Sequence, residues 1–114
     1  MSRVYPDSKI CVIVIAYNAE KTIENLISDI PRDYVDEIYV GDDASQDNTF
    51  KVLESLSGIK IFRNNQNKGM GGNLKLLINE AILNESDIII QLHGDNQYDA
   101  STIPVILQEI IENK

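Results

Sequence analysis

The stretch Ile88-Ile89-Ile90-Gln91-Leu92-His93-Gly94-Asp95-Asn96-Gln97-Tyr98-Asp99 decides how the chain is read. It opens as a run of β-branched and apolar residues, the composition of a strand buried on both faces. It ends in an imidazole, two carboxylates and two amides, with Gly94 among them where the backbone can turn or approach a ligand closely. In an open parallel sheet, ligands bind outside the carboxyl ends of the strands. A polar cluster at that place is positioned to be a site.

Working outward, the same strand-then-helix pattern recurs. Ile10 to Ala16 is continuously apolar and reads as the first strand, followed by a turn at Tyr17-Asn18. Glu20 to Asp29 carries Ile23, Leu26 and Ile27 at helical spacing, with Ile30 beyond it and Pro31 as the stop. Glu37 to Val40 is a second short strand leading into a polar loop from Gly41 to Thr49. Asp47 or Asn48 then caps a helix bearing Phe50, Leu53 and Leu56, which Gly58 ends. Ile59 to Phe62 is the third strand. A helix from Gly69 to Leu83 turns Leu74, Leu77, Ile78 and Ala81 inward. Asp87 to Leu92 is the fourth strand. The last helix covers Ala100 to Glu112, capped by Ser101 or Thr102, with Pro104 in its first turn. The alternation βαβαβαβα implies an α/β fold with a parallel sheet covered by helices on both faces. Residues 1–8 read as an N-terminal extension and residues 9–114 as the domain.

Composition narrows the function classes. The chain has 114 residues, enough for one core. Its 43% hydrophobic content is that of a globular domain, so disorder is not expected. No run of about 18 apolar residues is present to span a membrane. Ile10 to Ala16 lacks the basic flank and small-residue cleavage site of a signal segment and reads as a core strand. The single cysteine, Cys11, lies inside that strand as a small buried hydrophobe; it fits a reducing, cytoplasmic compartment. The net charge of -8 argues against nucleic acid as a partner, because phosphate backbones are held by basic surface. A phosphorylated ligand would have to arrive with a divalent cation, or meet basic groups supplied by further sequence.

Each polar loop has two readings when taken alone. Tyr17 at a strand end can lie against a base or ribose, or be a half-buried tyrosine beside a turn asparagine, Asn18. Asp42 and Asp43 repel as neighbours unless solvated, capping or bound. One can cap its own turn, while the other accepts from the ring N–H of a base. Gly69-Met70-Gly71-Gly72 opens a helix where backbone N–H groups can approach an anion, with Lys68 in reach of a phosphate; equally it is a flexible loop with close helix packing. Its spacing is neither a dinucleotide fingerprint nor a P-loop. Asp95 offers a hard oxygen suited to Mg²⁺ or Mn²⁺, and Gln97 can add an amide oxygen. His93 suits Mn²⁺ better than Mg²⁺ and is otherwise a hydrogen-bonding residue. Asp99 can simply cap the last helix.

Together these segments resemble the nucleotide-sugar-binding half of family 2 glycosyltransferases, which have the GT-A, Rossmann-like fold. The nearest likeness is to the dolichyl-phosphate mannosyltransferase-like and bacterial cell-wall branch. Ile15-Ala16-Tyr17-Asn18-Ala19-Glu20 is similar to the family's PxYNEE pattern, and the segment from Gly41 to Thr49 to VDDGSxDxT. Asn67-Lys68-Gly69-Met70-Gly71 is similar to NxGxG, and His93 to Asp99 to DxDxQxxP. The likeness covers about residues 9 to 112. It implies a sheet order of 3-2-1-4 and a nucleotide-sugar pocket that includes Ala16, Tyr17, Asn18, Gly41, Asp43, Lys68, His93, Gly94 and Asp95. Asp43 would contact the base. Asp95 would hold Mg²⁺ or Mn²⁺ under the diphosphate of a GDP- or UDP-linked sugar, with Gln97 in support.

Three positions depart from the pattern. Ile15 stands for the proline, Ala19 for the first glutamate after the asparagine, and His93 for the first Asp of D-x-D. The last removes a negative ligand. The resemblance also implies an acceptor that is a lipid phosphate or a saccharide, and a general base and acceptor site beyond residue 114. By itself the chain would then not complete transfer. The longer protein would work in the cytoplasm or at the cytoplasmic face of a membrane. Other classes remain. A non-catalytic nucleotide-binding module would tolerate His93. A receiver-type signalling domain would want its acids after strands one and three, and here they follow strands two and four. A sugar-nucleotide pyrophosphorylase would want a glycine-rich basic loop after strand one, which Tyr17-Asn18-Ala19-Glu20 is not.

Overall fold

The computed structural model describes residues 3–95 and 99–112. Four parallel strands, β1 (Ile10–Ala16), β2 (Glu37–Asp42), β3 (Lys60–Arg63) and β4 (Ile88–His93), form one sheet in the order β3-β2-β1-β4. That is the order expected from the resemblance. Helices α1 (Ile23–Ser28), α2 (Thr49–Glu54), α3 (Gly69–Leu83) and α4 (Ile103–Ile111) connect and follow the strands.

Alternation along β1 sends its residues to two cores. Ile10, Val12, Val14 and Ala16 face a cluster with Leu26 of α1, Leu53 of α2 and Leu107 of α4. Cys11, Ile13 and Ile15 face Leu77 and Ala81 of α3, with Leu74 and Ile78 partly buried beside them. Both faces of the sheet are thus covered, and β1 is buried along its whole length. The register aligns the strand ends that matter: Ile15 lies opposite Gly41 on one side and His93 on the other, and Ala16 opposite Asp42.

Several boundaries differ from the sequence expectation, each for a local reason. α1 begins at Ile23 rather than Glu20. The backbone N–H groups of Asn18, Ala19 and Glu20 donate across to Ser45 Oγ, Thr49 Oγ1 and Asp47 Oδ2, so they are held by the neighbouring loop before the helix starts. β2 extends through Gly41 and Asp42, which pair with Phe62 and Arg63 of β3 as well as with β1. β3 and β4 are each displaced one residue toward the C-terminus of the expected span. The last helix is preceded by a 3-10 turn at Ala100–Thr102. Of the capping residues the sequence offered, Asp99 caps this turn: its Oδ1 accepts from Ser101 N at 3.0 Å and from Ser101 Oγ at 2.6 Å, while Thr102, at the N-cap of α4, makes no side-chain cap bond. Residues preceding β1 are tied down: Val4 N donates to Asp33 O, and the Tyr5 hydroxyl donates to Glu112 Oε2 at 2.5 Å.

Candidate functional site

At the carboxyl edge of β1, β2 and β4 a cleft of about 300 Å³ opens between the strand ends and the start of α3. Ile15, Ala16, Tyr17, Asp43, Asn67, Gly69, Met70, Asn73, His93, Gly94 and Asp95 line it. Of the residues expected from sequence, Ala16, Tyr17, Asp43, His93, Gly94 and Asp95 therefore meet around one space. Asn18, Gly41 and Lys68 lie beside it and do not line it. Gln97 falls outside the described residues.

The strand ends fix this geometry. Gly94 N donates to Ile15 O at 2.8 Å, continuing the β4 to β1 pairing one step past the strand, and Thr22 Oγ1 donates to Gly94 O at 2.6 Å. A Cβ on Gly94 would stand 3.2 Å from Ala16 Cβ, Ile15 O and Ile23 Cδ1, so a side chain there would have to push the neighbouring strand end back by a few tenths of an ångström. That contact presents Asp95, an exposed residue, at the mouth of the cleft next to Ala16 and Tyr17. His93 is half-buried, and its Nε2 is in contact with Gln91 Nε2 at 3.2 Å.

The two adjacent acids after β2 have separate environments. Asp42 is fully buried; its Oδ1 accepts from Ser45 N at 3.2 Å, and its Oδ2 lies 3.9 Å from Arg63 Nε. It serves the loop, and Arg63 in turn lies 4.0 Å above the Phe50 ring. Asp43 is 3% exposed and reaches the cleft. Its Oδ1 accepts from Lys68 N at 2.7 Å and from Asn64 Nδ2 at 2.9 Å, and Asn67 Nδ2 donates to its carbonyl at 3.3 Å. Lys68 thus contributes its backbone N–H to the holding of Asp43.

Gly41 acts from behind the cleft. Its carbonyl accepts from Asn73 Nδ2 at 2.9 Å, and a Cβ at Gly41 would overlap Asn73 Oδ1 and touch Leu77 Cδ1 at 3.0 Å. Asn18 braces the loops: its N–H donates to Ser45 Oγ and its Oδ1 accepts from Gln46 N, both at 2.9 Å.

Sequence reasoning missed Asn64, Asn73 and Met70. Asn64 and Asn73 are buried polar residues joined to each other and to Asp43. The asparagine-rich loop before α3 was visible, but nothing in its spacing told which amides turn inward. Met70, 63% exposed on the first turn of α3, lines the cleft together with the half-exposed Tyr17.

Among the described residues no three His, Cys, Asp or Glu side chains converge to hold a metal by themselves. Among the described residues the donors at the end of β4 are one exposed carboxylate, Asp95, and one imidazole, His93. Mg²⁺ and Mn²⁺ are commonly held by one or two carboxylates with substrate phosphates and water completing the shell. The described residues therefore fit a cation that enters with a diphosphate, and do not by themselves make up a site for a resident metal.

Comparison with known proteins agrees with this architecture. The chain is 30% identical over 123 residues to the UDP-N-acetylglucosamine--dolichyl-phosphate N-acetylglucosaminyltransferase of Methanococcus voltae, covering 94% of this chain and 49% of that protein. It is 31% identical over 111 residues to the protein RfbJ of Shigella flexneri, covering 96% of this chain and 82% of the relative. The chain thus spans about half the length of the Methanococcus relative. Among solved structures it superposes on S. aureus TarS in complex with UDP with a TM-score of 0.74 and 26% identity, over 91% of this chain and 32% of TarS. It shares its fold with glucosyl-3-phosphoglycerate synthase of Mycobacterium tuberculosis, solved with Mn²⁺ and UDP, at a TM-score of 0.75 and 24% identity over 94% of this chain and 41% of that one. The model of glycosyl transferase family 2 matches residues 11–114, and the chain belongs to that family.

Proposed function

We propose that this chain is the donor-binding part of a glycosyltransferase that takes a nucleoside-diphosphate sugar, UDP-linked in preference to GDP-linked, with Mg²⁺ or Mn²⁺. The observation that carries the reading is the single cleft into which Tyr17, Asp43 and Asp95 converge from three different strand ends. Tyr17 offers a ring face to the base and Asp43 accepts from a base N–H. Ala16 and Gly94 let the ribose and diphosphate lie close to the backbone. Asp95 holds the cation beneath the diphosphate, with His93 beside it and Gln97 as a further ligand. When bound, the cation neutralises charge building on the leaving diphosphate. The uridine preference is supported by TarS binding UDP and by the UDP-sugar named for the Methanococcus relative.

The acceptor in this reading is a lipid phosphate or a saccharide, and the general base belongs to sequence beyond residue 114. By itself the chain binds donor and does not complete transfer. No helix among the described residues is long and apolar enough to cross a membrane. The reading puts the longer protein in the cytoplasm or at the cytoplasmic face of a membrane. Thermal-shift titration with UDP, GDP and their sugars, with and without Mn²⁺, tests it. The reading expects a rise in Tm that needs both nucleotide and metal. Absence of any shift at millimolar nucleotide would overturn it.

A further inference from the structure

Three buried polar side chains connect the sheet backbone to the cleft. Gly41 O, in β2, accepts from Asn73 Nδ2 at 2.9 Å. A carbonyl can only accept, so this bond fixes which end of the Asn73 amide faces the strand. Asn73 Oδ1 is thereby turned to Asn64, whose Nδ2 lies 3.2 Å away. The same Nδ2 donates to Asp43 Oδ1 at 2.9 Å. Asn73 is 2% exposed, Asp43 3% and Asn64 6%, so each amide is held in one orientation away from water. Lys68 N adds a second donor to the same Asp43 oxygen at 2.7 Å.

Both of these bonds fall on Oδ1. The carboxylate is pinned about its own axis, and Oδ2 is the oxygen left to meet a ligand in the cleft. The Watson–Crick edge of guanine carries two adjacent donors, N1–H and the 2-amino group, which match a carboxylate presenting both oxygens. Uracil carries one, N3–H, and needs only one oxygen. Cytosine has no N3–H.

We propose that Asn64 and Asn73 are positioning residues that hold Asp43 as a single-oxygen acceptor, and that this makes the cleft selective for a base presenting a single donor on that edge, uracil, over guanine, which presents two. The inference rests on the reading of Asp43 as the base contact. In this proposal each acts through Asp43, although Asn73 also borders the cleft.

The test is calorimetric titration of the chain and of Asn64→Ala with UDP, GDP and inorganic pyrophosphate, all with Mn²⁺. A hydrogen bond to a charged group is worth enough to shift affinity by about tenfold. The wild-type chain is expected to prefer UDP over GDP by at least that factor, and Asn64→Ala to erase most of the preference while leaving pyrophosphate unchanged. In an Asp43→Ala background, adding Asn64→Ala is expected to leave the ratio where it was, because the relay then has nothing to orient. Should Asn64→Ala fail to fold, Asn64→Ser keeps a small polar group in the same space and serves for it. Equal wild-type affinity for UDP and GDP would overturn the inference. So would an equal weakening of UDP, GDP and pyrophosphate by Asn64→Ala, the signature of a purely structural role. If the wild-type chain binds pyrophosphate but neither nucleotide, the parent reading of the base site falls, and this inference with it.

Discussion

The backbone N–H of Asn18 donates to the Ser45 hydroxyl oxygen at 2.9 Å across a separation of 27 residues, and Asn18 Oδ1 accepts from Gln46 N in return. This two-way tie joins the loop after β1 to the loop after β2, and so fixes the spacing of Tyr17 and Asp43 across the cleft. Asn18 has φ of 50°, in the left-handed region that asparagine tolerates better than most residues.

Asn18 variants separate the two contributions. Asn18→Gly keeps the backbone conformation and loses the side-chain bond to Gln46, at a cost of about 1 kcal/mol. Asn18→Ala loses that bond and also strains the backbone, for about 2 kcal/mol. Urea denaturation should rank them wild type, glycine, alanine. An alanine variant as stable as the glycine one would show that the turn relaxes freely.

Gly41 is expected to reject even a methyl group. A Cβ there would collide with Asn73 Oδ1 and crowd Leu77 Cδ1, two buried groups of α3. Overpacking of this kind costs about 1–3 kcal/mol. Gly41→Ala should lower the denaturation midpoint accordingly and shift the NMR signal of the Asn73 side-chain amide. A midpoint within error of the wild type would mean that α3 moves away without penalty.

Acid should weaken the loop that Asp47 organises. Burial by itself raises the Asp47 carboxyl, but bonds from the Thr49 hydroxyl and backbone and from Glu20 N outweigh it, so its pKa falls below the ordinary 3.8. A depressed folded pKa contributes stability that is present above the unfolded value and is lost as pH falls through the folded one. Melting temperature should therefore drop between about pH 5 and about pH 2, and Asp47→Asn should show a smaller drop over that interval. Parallel curves would show that Asp47 is not responsible.

Cys11 should be inert while the chain is folded. It is fully buried in β1, and burial, aided by the charge of Glu37, pushes its thiol up to about 12. The reactive species is the thiolate, which is then scarce at neutral pH. Labelling with a disulfide reagent at pH 8 should proceed at the rate of global unfolding and accelerate with urea. Rapid labelling in native buffer would show that β1 opens locally.

The strands were legible because apolar runs are long and well spaced, and their order followed from the family resemblance. Ile10 to Ala16 could hardly be anything but a buried strand, whereas the run from Ile88 to Leu92, read as buried on both faces, is an edge strand that is only partly buried, with Gln91 exposed; with three helical spacings between strands a parallel sheet was the one economical assembly. The cleft was legible in part: Tyr17, Asp43 and Asp95 each follow a strand, and the topology brings strand ends together. What sequence did not show is hydrogen bonding across loops. Asn18, Ala19 and Glu20 give up their N–H groups to residues that lie after β2, which shortens α1, and no local pattern announces that. Asn64 and Asn73 look like surface asparagines, yet both are buried because Gly41 O and Asp43 need donors. The capping role the sequence allowed Asp99 is the one it takes, its carboxylate accepting from both the backbone and the hydroxyl of Ser101.

Asp95 carries the central claim, since it is the carboxylate we propose to hold the cation at the cleft mouth. Calorimetric titration of UDP into the wild-type chain and into Asp95→Ala, each with and without Mn²⁺, measures it most directly. The account predicts that Mn²⁺ tightens UDP binding to the wild type by about tenfold or more, as a lost charge-assisted contact implies, and that Asp95→Ala abolishes this metal dependence while the chain keeps its fold. An Asp95→Ala variant that retained the full Mn²⁺ enhancement would contradict it.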